Sequence, residues 1–126
     1  MTKTIAKRIS PMLAVANIDE TLSFYERVLG FTPLLKSPAY AIVQRDGQTI
    51  HFQQADSEEV MKCVRGHTEL YIEVSNIQSL WEHVKTFKNQ HRIRDLFDRD
   101  YGMTEFHISD PNDCLVFVGE TTPPKI

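Results

Sequence analysis

The sequence predicts an α+β domain made of two βαβββ modules, and an internal repeat carries that prediction. Residues 15–31 have the pattern of a strand end, a turn and an amphipathic helix, and a degraded copy follows in the second half of the chain. Residues 46–52 are matched in the same way by residues 112–118. The strands of such modules are mostly antiparallel, unlike those of a doubly wound α/β sheet. The residues that recur at equal spacing are Val15, Asn17, Ile18, Leu22 and Tyr25 in the first copy and Val74, Asn76, Ile77, Trp81 and Val84 in the second.

The first helix follows a predicted strand at residues 9–16, in which Pro11 lies near the strand start or at an edge because it lacks an N–H donor. Asn17 or Asp19 can cap the helix, since a short side-chain oxygen accepts from free backbone N–H groups. Gly30 is the expected helix stop. The apolar positions at helical spacing are Ile18, Leu22, Tyr25, Val28 and Leu29. Aromatic residues at such spacing are predicted to be core, namely Phe24, Tyr25, Trp81 and Phe87.

The remaining elements follow from alternation and turn residues. Asp46-Gly47 is a hairpin signal, because glycine accepts the positive φ of a tight turn. A second helix is predicted from Asn76 through Val84 and Phe87, and the charged residues 88–102 predict a long loop or a short edge strand. The predicted strands are 31–36, 39–45 and 49–53 in the first module and 69–74, 103–109 and 114–118 in the second. We therefore predict one domain over residues 1–126, with module 1 at about 9–54, a linker at about 55–66 and module 2 at about 67–120.

The composition of the chain excludes several classes of function. The chain has 126 residues, 41% hydrophobic and 25% charged, as expected of one soluble domain. Its net charge of -3 and pI of about 5.9 argue against nucleic acid, which needs a basic face. Cys63 and Cys114 have no metal-binding spacing and are expected to be free thiols in a reducing cytoplasm. No apolar run approaches the length of about 20 residues that spans a bilayer, and no export signal is visible, so we expect no membrane partner.

Two motifs carry a family resemblance. They are Ile18-Asp19-x-Thr21-Leu22-x-Phe24-Tyr25-x-x-Val28-Leu29-Gly30-Phe31 and Gly102-Met103-x-Glu105-Phe106-x-Ile108-x-Asp110-Pro111-Asn112. With the repeat, this pattern resembles the vicinal oxygen chelate superfamily, which includes glyoxalase I, extradiol dioxygenases, fosfomycin-modifying enzymes and bleomycin resistance proteins. The resemblance covers roughly residues 9–120. It implies sheets curled around a concave cleft and a homodimer, and it leaves the reaction open because fold does not imply function.

The resemblance also implies where a metal would sit. The ligand positions of metal-dependent members correspond here to Ser10, His51, Glu69 and Phe117. Phenylalanine offers no donor and serine is a poor ligand, so we predict no metal and no cofactor. If a metal binds, His51 and Glu69 hold it, completed by Glu105 or His107.

Strand alternation predicts which side chains face the cleft. Ile50 and Phe52 are apolar and pack under the helix, so their neighbours point the opposite way, and the same rule applies to the strands of module 2. By the resemblance, tyrosines in this cleft stack on the ligand, and carboxylates there, including Glu73, make it acidic and attractive to cations. The predicted ligand-binding residues are Tyr40, His51, Gln53, Glu69, Tyr71, Tyr101, Glu105, His107 and Phe117.

The leading hypothesis is a small-molecule binding protein of the bleomycin resistance type. It sequesters a cationic or aromatic antibiotic in an aromatic and acidic cleft at a dimer interface, without catalysis. The alternative is a divalent-metal-dependent lyase or dioxygenase of the glyoxalase superfamily. A third alternative is a scaffold or immunity-like partner whose cleft is vestigial.

Overall fold

The computed structural model describes residues 2–123 and confirms the α+β class. Two four-stranded mixed sheets have strand orders β1-β4-β3-β2 (sheet 1) and β5-β8-β7-β6 (sheet 2). The strands are β1 Met12–Val15, β2 Thr32–Lys36, β3 Tyr40–Arg45, β4 Gln48–Gln54, β5 Glu69–Glu73, β6 Ile93–Asp98, β7 Met103–Ser109 and β8 Leu115–Thr121. The helices are α1 Ile18–Arg27, α2 Glu58–Val64 and α3 Ile77–Val84, with a 3-10 turn at Lys85–Phe87.

The two sheets repeat one topology. In each, the first strand pairs in parallel with the last, β1 with β4 and β5 with β8, and the other pairs are antiparallel. A parallel pair needs a crossover connection, and in each module the helix lies within the chain that joins the paired strands. The helices cover one face of each sheet. In module 2, for example, the ring centroids of Trp81 on α3 and Phe106 on β7 lie 5.4 Å apart. The other face of each sheet, turned away from the helices, is called its open face below.

Helix α1 has the ends that its sequence predicts. The Asn17 side chain accepts a hydrogen bond from the Glu20 backbone N–H at 2.8 Å, so Asn17 is the cap. At the other end Gly30 has φ +74°, a conformation that glycine adopts without strain. The Gly30 N–H donates to the Glu26 carbonyl and the Phe31 N–H to the Tyr25 carbonyl, so two of the last helical carbonyls are satisfied.

One hydrophobic core serves both modules, and a buried polar cluster joins them. Tyr25, on α1, donates its hydroxyl hydrogen bond to Asp110 at 2.7 Å. The side chain of Asn112 accepts from the Ala16 N–H and donates to the Thr21 hydroxyl. The two sequence motifs are therefore in direct contact through buried hydrogen bonds. Phe24, Tyr25 and Trp81 are buried as predicted, and Phe87 is partly buried against the core.

Some boundaries differ from the sequence-based expectation. Helix α2 occupies most of the predicted linker, capped by the Ser57 hydroxyl, which accepts from the Val60 N–H. The charged segment 88–102 contains the six-residue edge strand β6. The first strand begins at Met12, and the last extends to Thr121. Among the helices of the described chain, none is long and apolar enough to cross a membrane.

Candidate functional site

The open face of sheet 2 is organised in rows set by strand register. Directly opposed residues on paired strands project from the same face. Tyr71 on β5 lies opposite Phe117 on β8, Phe117 opposite His107 on β7, and His107 opposite Arg94 on β6. The neighbouring row runs through Glu73, Gly119, Glu105 and Phe97. Four strands thus place one aromatic-rich row beside a row that contains two carboxylates and a glycine.

Glu105 is the hub of this face. Its carboxylate accepts three hydrogen bonds: the Tyr71 and Tyr101 hydroxyls each donate to Oε2 at 2.7 Å, and His107 Nε2–H donates to Oε1 at 2.8 Å. The glutamate side chain is fully covered, and His107 is buried beside it. Tyr71 and Tyr101 remain about half exposed, so only their rings face solvent. The network fixes the orientation of three ring side chains through one buried anion.

The protonation state of Glu105 follows from these contacts. Burial on its own raises a carboxyl pKa, but the hydrogen bonds from His107, Tyr101 and Tyr71 outweigh it and lower the pKa of Glu105 below its usual value. Desolvation, and then the hydrogen bond to Glu105, raise the pKa of Tyr71 above its usual value. Glu105 is therefore ionised near neutral pH while its tyrosine partners keep their protons. The charge is not presented to a ligand, which differs from the expectation that Glu105 contributes to an acidic cleft.

The aromatic side chains around Glu105 are in contact with one another on the open face of sheet 2. Tyr71 and Phe117 are stacked with ring centroids 6.2 Å apart and an interplanar angle of 21°. The His107 ring lies 4.0 Å from Phe117 and 5.3 Å from Phe97. The His107 ring is inclined to Phe117 by 49° and to Phe97 by 77°, so the near-parallel Tyr71 and Phe117 rings are the part of this surface on which a planar ligand can lie.

The open face of sheet 1 carries the other group of predicted residues. The equivalent row contains Met12, His51, Ile42 and Leu35, so His51 occupies the place that Phe117 has in sheet 2. His51 Nδ1 shares a hydrogen bond of 2.5 Å with the Tyr40 hydroxyl. Gln53 lies opposite Tyr40 in the register and is exposed. Within residues 2–123, no hydrogen bond or aromatic pair joins the open faces of the two sheets.

The structure therefore divides the nine predicted residues between two places. Five of them meet on sheet 2, namely Tyr71, Tyr101, Glu105, His107 and Phe117. Tyr40, His51 and Gln53 share sheet 1, and Glu69 stands apart, exposed at the start of β5 opposite Leu115. Sequence reasoning missed Gly119, although alternation from Phe117 places it on the same face. It also missed Arg94 and Phe97: a short edge strand was one of the two alternatives predicted for residues 88–102, but none of its residues was assigned to a face.

The donor set does not fit the metal site that the resemblance implies. Phe117 has no donor atom, Ser10 bonds to the Thr49 hydroxyl, and His51 bonds to Tyr40. Glu105 and His107, the substitutes considered, are bonded to each other. Nowhere in the described part of the chain do three or more His, Cys, Asp or Glu side chains gather closely enough to hold a metal ion. We derive no metal-dependent step from this site.

A cleft of about 690 Å³ lies elsewhere, between the two modules. Its lining includes Ile72 of β5, Val74 just after that strand, Arg45 and His83. The Arg45 guanidinium is already engaged, because Nη1 donates to the Leu29 carbonyl at 2.6 Å. This cleft shares none of the nine predicted residues.

Comparison with known proteins places the chain in a family. The model of the glyoxalase-like domain matches residues 9–122, so the chain belongs to the glyoxalase-like domain family. It is 26% identical over 119 residues to a bleomycin resistance protein of Geobacillus stearothermophilus, covering 84% of this chain and 90% of that protein. Its fold is similar to that of a bleomycin-binding protein complexed with bleomycin, with a TM-score of 0.77 and 19% identity over 92% of this chain and 99% of that one. A glyoxalase-related enzyme from Clostridium phytofermentans shares the fold as well, with a TM-score of 0.73 and 15% identity over 94% and 97% of the two chains.

Proposed function

We propose that this chain is a small-molecule binding protein of the bleomycin resistance type, which holds a planar ligand by stacking on the open face of sheet 2. The observation that carries the proposal is the surface formed by Tyr71, Phe117, His107 and Phe97. The Tyr71 and His107 rings are held in place by their hydrogen bonds to Glu105, so little ordering accompanies ligand binding. The similarity to bleomycin resistance proteins supports the same class of function.

The ligand is sequestered and leaves unchanged. The open face offers stacking surface, while its one fully buried carboxylate is ionised, so it has no proton to give, and it already accepts three hydrogen bonds. Neither cysteine thiol lies on this face, since Cys114 is buried on the core side and Cys63 lies on α2. Binding without turnover is the function that this constellation supports.

Two copies of the chain complete the binding cleft in this proposal. The open face of sheet 1 leaves Met12 55% and Leu35 46% exposed, a large apolar area for a surface without a partner. In a homodimer that face covers the ligand held on sheet 2 of the other copy. Sedimentation equilibrium tests this step: we expect a dimer that Leu35→Glu converts to a monomer, whereas a wild-type monomer at micromolar concentration contradicts it.

Isothermal titration tests the binding proposal with bleomycin and with 2-naphthalenemethanol, a neutral planar probe. We expect one molecule of ligand per chain and recovery of unaltered ligand by mass spectrometry. Phe117→Ala should weaken binding about tenfold, the effect of losing about 1.4 kcal/mol of stacking. Phe87→Ala is the matched control, because Phe87 is a partly buried phenylalanine packed against His83 and away from the open face. Failure of both ligands to bind, or equal losses in the two variants, contradicts the proposal.

A further inference from the structure

Strand β6 brings two arginines to the aromatic surface. The register sets Arg94 opposite His107 and Phe97 opposite Glu105, so both project from the open face of sheet 2. A bulge between them lets residues three positions apart share a face, while Leu96 packs against the core. Arg99 follows the strand directly and reaches back over the same ring.

Both guanidinium groups lie over aromatic rings of this surface. The Arg94 Cζ atom lies 3.8 Å from the centroid of the Phe97 ring. The Arg99 Cζ atom lies 5.1 Å from the same centroid and 4.9 Å from that of Tyr101. Stacking uses the flat face of a guanidinium and leaves the N–H groups around its edge available as donors. Two sets of donors are therefore held beside the surface on which a planar ligand stacks.

Neither arginine has an acidic partner in the part of the chain that the structure describes. Neighbouring cations do pair: Lys88 lies 2.6 Å from Asp95, and Arg92 lies 3.9 Å from Asp113. No carboxylate oxygen within residues 2–123 comes within 4.0 Å of the Arg94 or Arg99 nitrogens. The guanidinium groups thus keep their charge-assisted hydrogen bonds for something outside the chain.

The carboxylates near this surface do not neutralise it. Glu105 is buried and bonded to Tyr71, Tyr101 and His107. Asp98 accepts a hydrogen bond from the Thr104 hydroxyl. Glu73 is exposed on β5, and two strands, β8 and β7, separate it from β6 at the opposite edge of the sheet. Asp100, which precedes Tyr101, acts electrostatically on the Tyr101 hydroxyl. The side of the surface nearest β6 therefore presents two guanidinium groups that no carboxylate within residues 2–123 pairs.

We propose that the ligand of this site is a planar ring system carrying an oxyanion, such as a carboxylate or sulfonate, which Arg94 and Arg99 bind while the ring stacks on Phe117. This inference rests on the proposed function and specifies the ligand class. It reverses the charge preference expected from an acidic cleft. Arginine suits this role because its planar fork matches an oxyanion with two parallel hydrogen bonds.

The test uses three probes that share one ring and differ in charge: naphthalene-2-sulfonate, 2-naphthalenemethanol and 2-naphthylmethylammonium, each titrated into the full chain by calorimetry. We expect the sulfonate to bind about tenfold more tightly than the neutral probe, as charge-assisted hydrogen bonds imply, and the ammonium probe to bind more weakly than the neutral one. Raising NaCl should weaken only the sulfonate, because salt screens an exposed charge pair.

Variants assign the effect to the two arginines. Arg94→Gln combined with Arg99→Gln should abolish the advantage of the sulfonate and leave the neutral probe within about twofold. Arg92→Gln removes the same charge two positions earlier in the chain, from an arginine that is paired with Asp113, and its sulfonate affinity should stay close to wild type. Equal affinity for sulfonate and ammonium probes, or equal effects of the Arg92 and Arg94 substitutions, overturns the inference while the neutral probe still binds. If the neutral probe fails too, the proposed function itself falls.

Discussion

The Tyr71 hydroxyl occupies the space that a side chain on Gly119 would need. A Cβ atom built on Gly119 stands 2.9 Å from Tyr71 Cζ and 3.2 Å from Glu105 Cγ, inside normal contact distance. The glycine lies between Glu73 and Glu105 in the cross-strand row, so its missing side chain is the gap through which Tyr71 reaches the carboxylate. Only glycine at position 119, which has no Cβ atom, therefore leaves room for the Tyr71 hydroxyl to bond to Glu105 and hold the Tyr71 ring in place.

Gly119→Ala should expel the Tyr71 hydroxyl from its hydrogen bond to Glu105. Tyr71 is about half exposed and can turn outward, so we expect the fold to survive. The pKa of the Tyr71 hydroxyl, which desolvation and Glu105 raise in the wild type, should fall toward the ordinary value of about 10. Alkaline absorbance titration at constant circular dichroism should then count one more tyrosine ionising near that pH than in wild type.

The double variant Tyr71→Phe with Gly119→Ala is the control for this titration. It keeps the added methyl group and removes the phenol, so the additional ionising group should vanish. An unchanged titration curve in Gly119→Ala would show that the hydroxyl remains bonded, contrary to this account.

Glu105→Gln should destabilise the protein in a pH-dependent way. The substitution weakens a buried acceptor for three donors, at a cost of about 1–3 kcal/mol in the free energy of unfolding at neutral pH. The folded-state pKa of Glu105 is lowered, so its stabilisation is complete above the unfolded-state value of about 4.3 and disappears as pH falls through the folded-state value. Urea unfolding from pH 7 to 3 should show the difference between wild type and variant shrinking below about pH 4.

Glu69→Gln is the matched control for this effect, since Glu69 is an exposed carboxylate on a strand of the same sheet. It should change stability by less than about 0.5 kcal/mol. A Glu105→Gln difference that stays constant with pH would mean that the carboxylate charge contributes nothing to folding.

Tyr25→Phe should weaken the buried polar cluster that joins the two modules. The change deletes one hydroxyl and leaves Asp110 Oδ2 without its donor in a buried site, which costs about 1–3 kcal/mol of unfolding free energy. A double-mutant cycle with Asp110→Asn, measured by chemical denaturation, isolates the pair. Additive effects of the two substitutions would show that the hydrogen bond is not the source of the loss.

The two cysteines should differ in reactivity. Burial raises the pKa of the Cys114 thiol to about 11, and the side chain is enclosed in the core, whereas Cys63 is exposed on α2. Because the thiolate is the reactive form, iodoacetamide at pH 8 should modify one cysteine per chain, identified as Cys63 by peptide mass spectrometry. Cys114 should react only after denaturation, and its rapid modification in the native protein would contradict the packing described here.

The N-terminus of helix α3 shows that the internal repeat predicts where a helix begins but not which group caps it. Asn17 caps α1 with its side chain, and the repeat matches it with Asn76. Asn76 instead adopts a left-handed conformation with φ 59° and makes no capping hydrogen bond. The Glu120 carboxylate, at the end of β8, accepts from the Asn76 and Ile77 N–H groups in its place. The helix start was predictable, but the capping group came from a distant strand.

The sequence by itself determined the α+β class, the spans of α1 and α3, and the inward side of most strands. These depend on periodicity and local caps, which act over a few residues. Alternation correctly placed Phe52, Phe106 and Val116 in the core. It also put Phe117 on the open face of its strand, as the register shows.

Only the tertiary structure decided what the open face presents. Glu105 is covered because tyrosines from β5 and from the turn before β7 converge on it, and Gly119 matters because of what lies opposite in the register. Arg94 and Phe97 share a face through a bulge that no period of two predicts. Each of these features depends on pairing between segments far apart in the chain, and that pairing is set by the packing of the whole sheet.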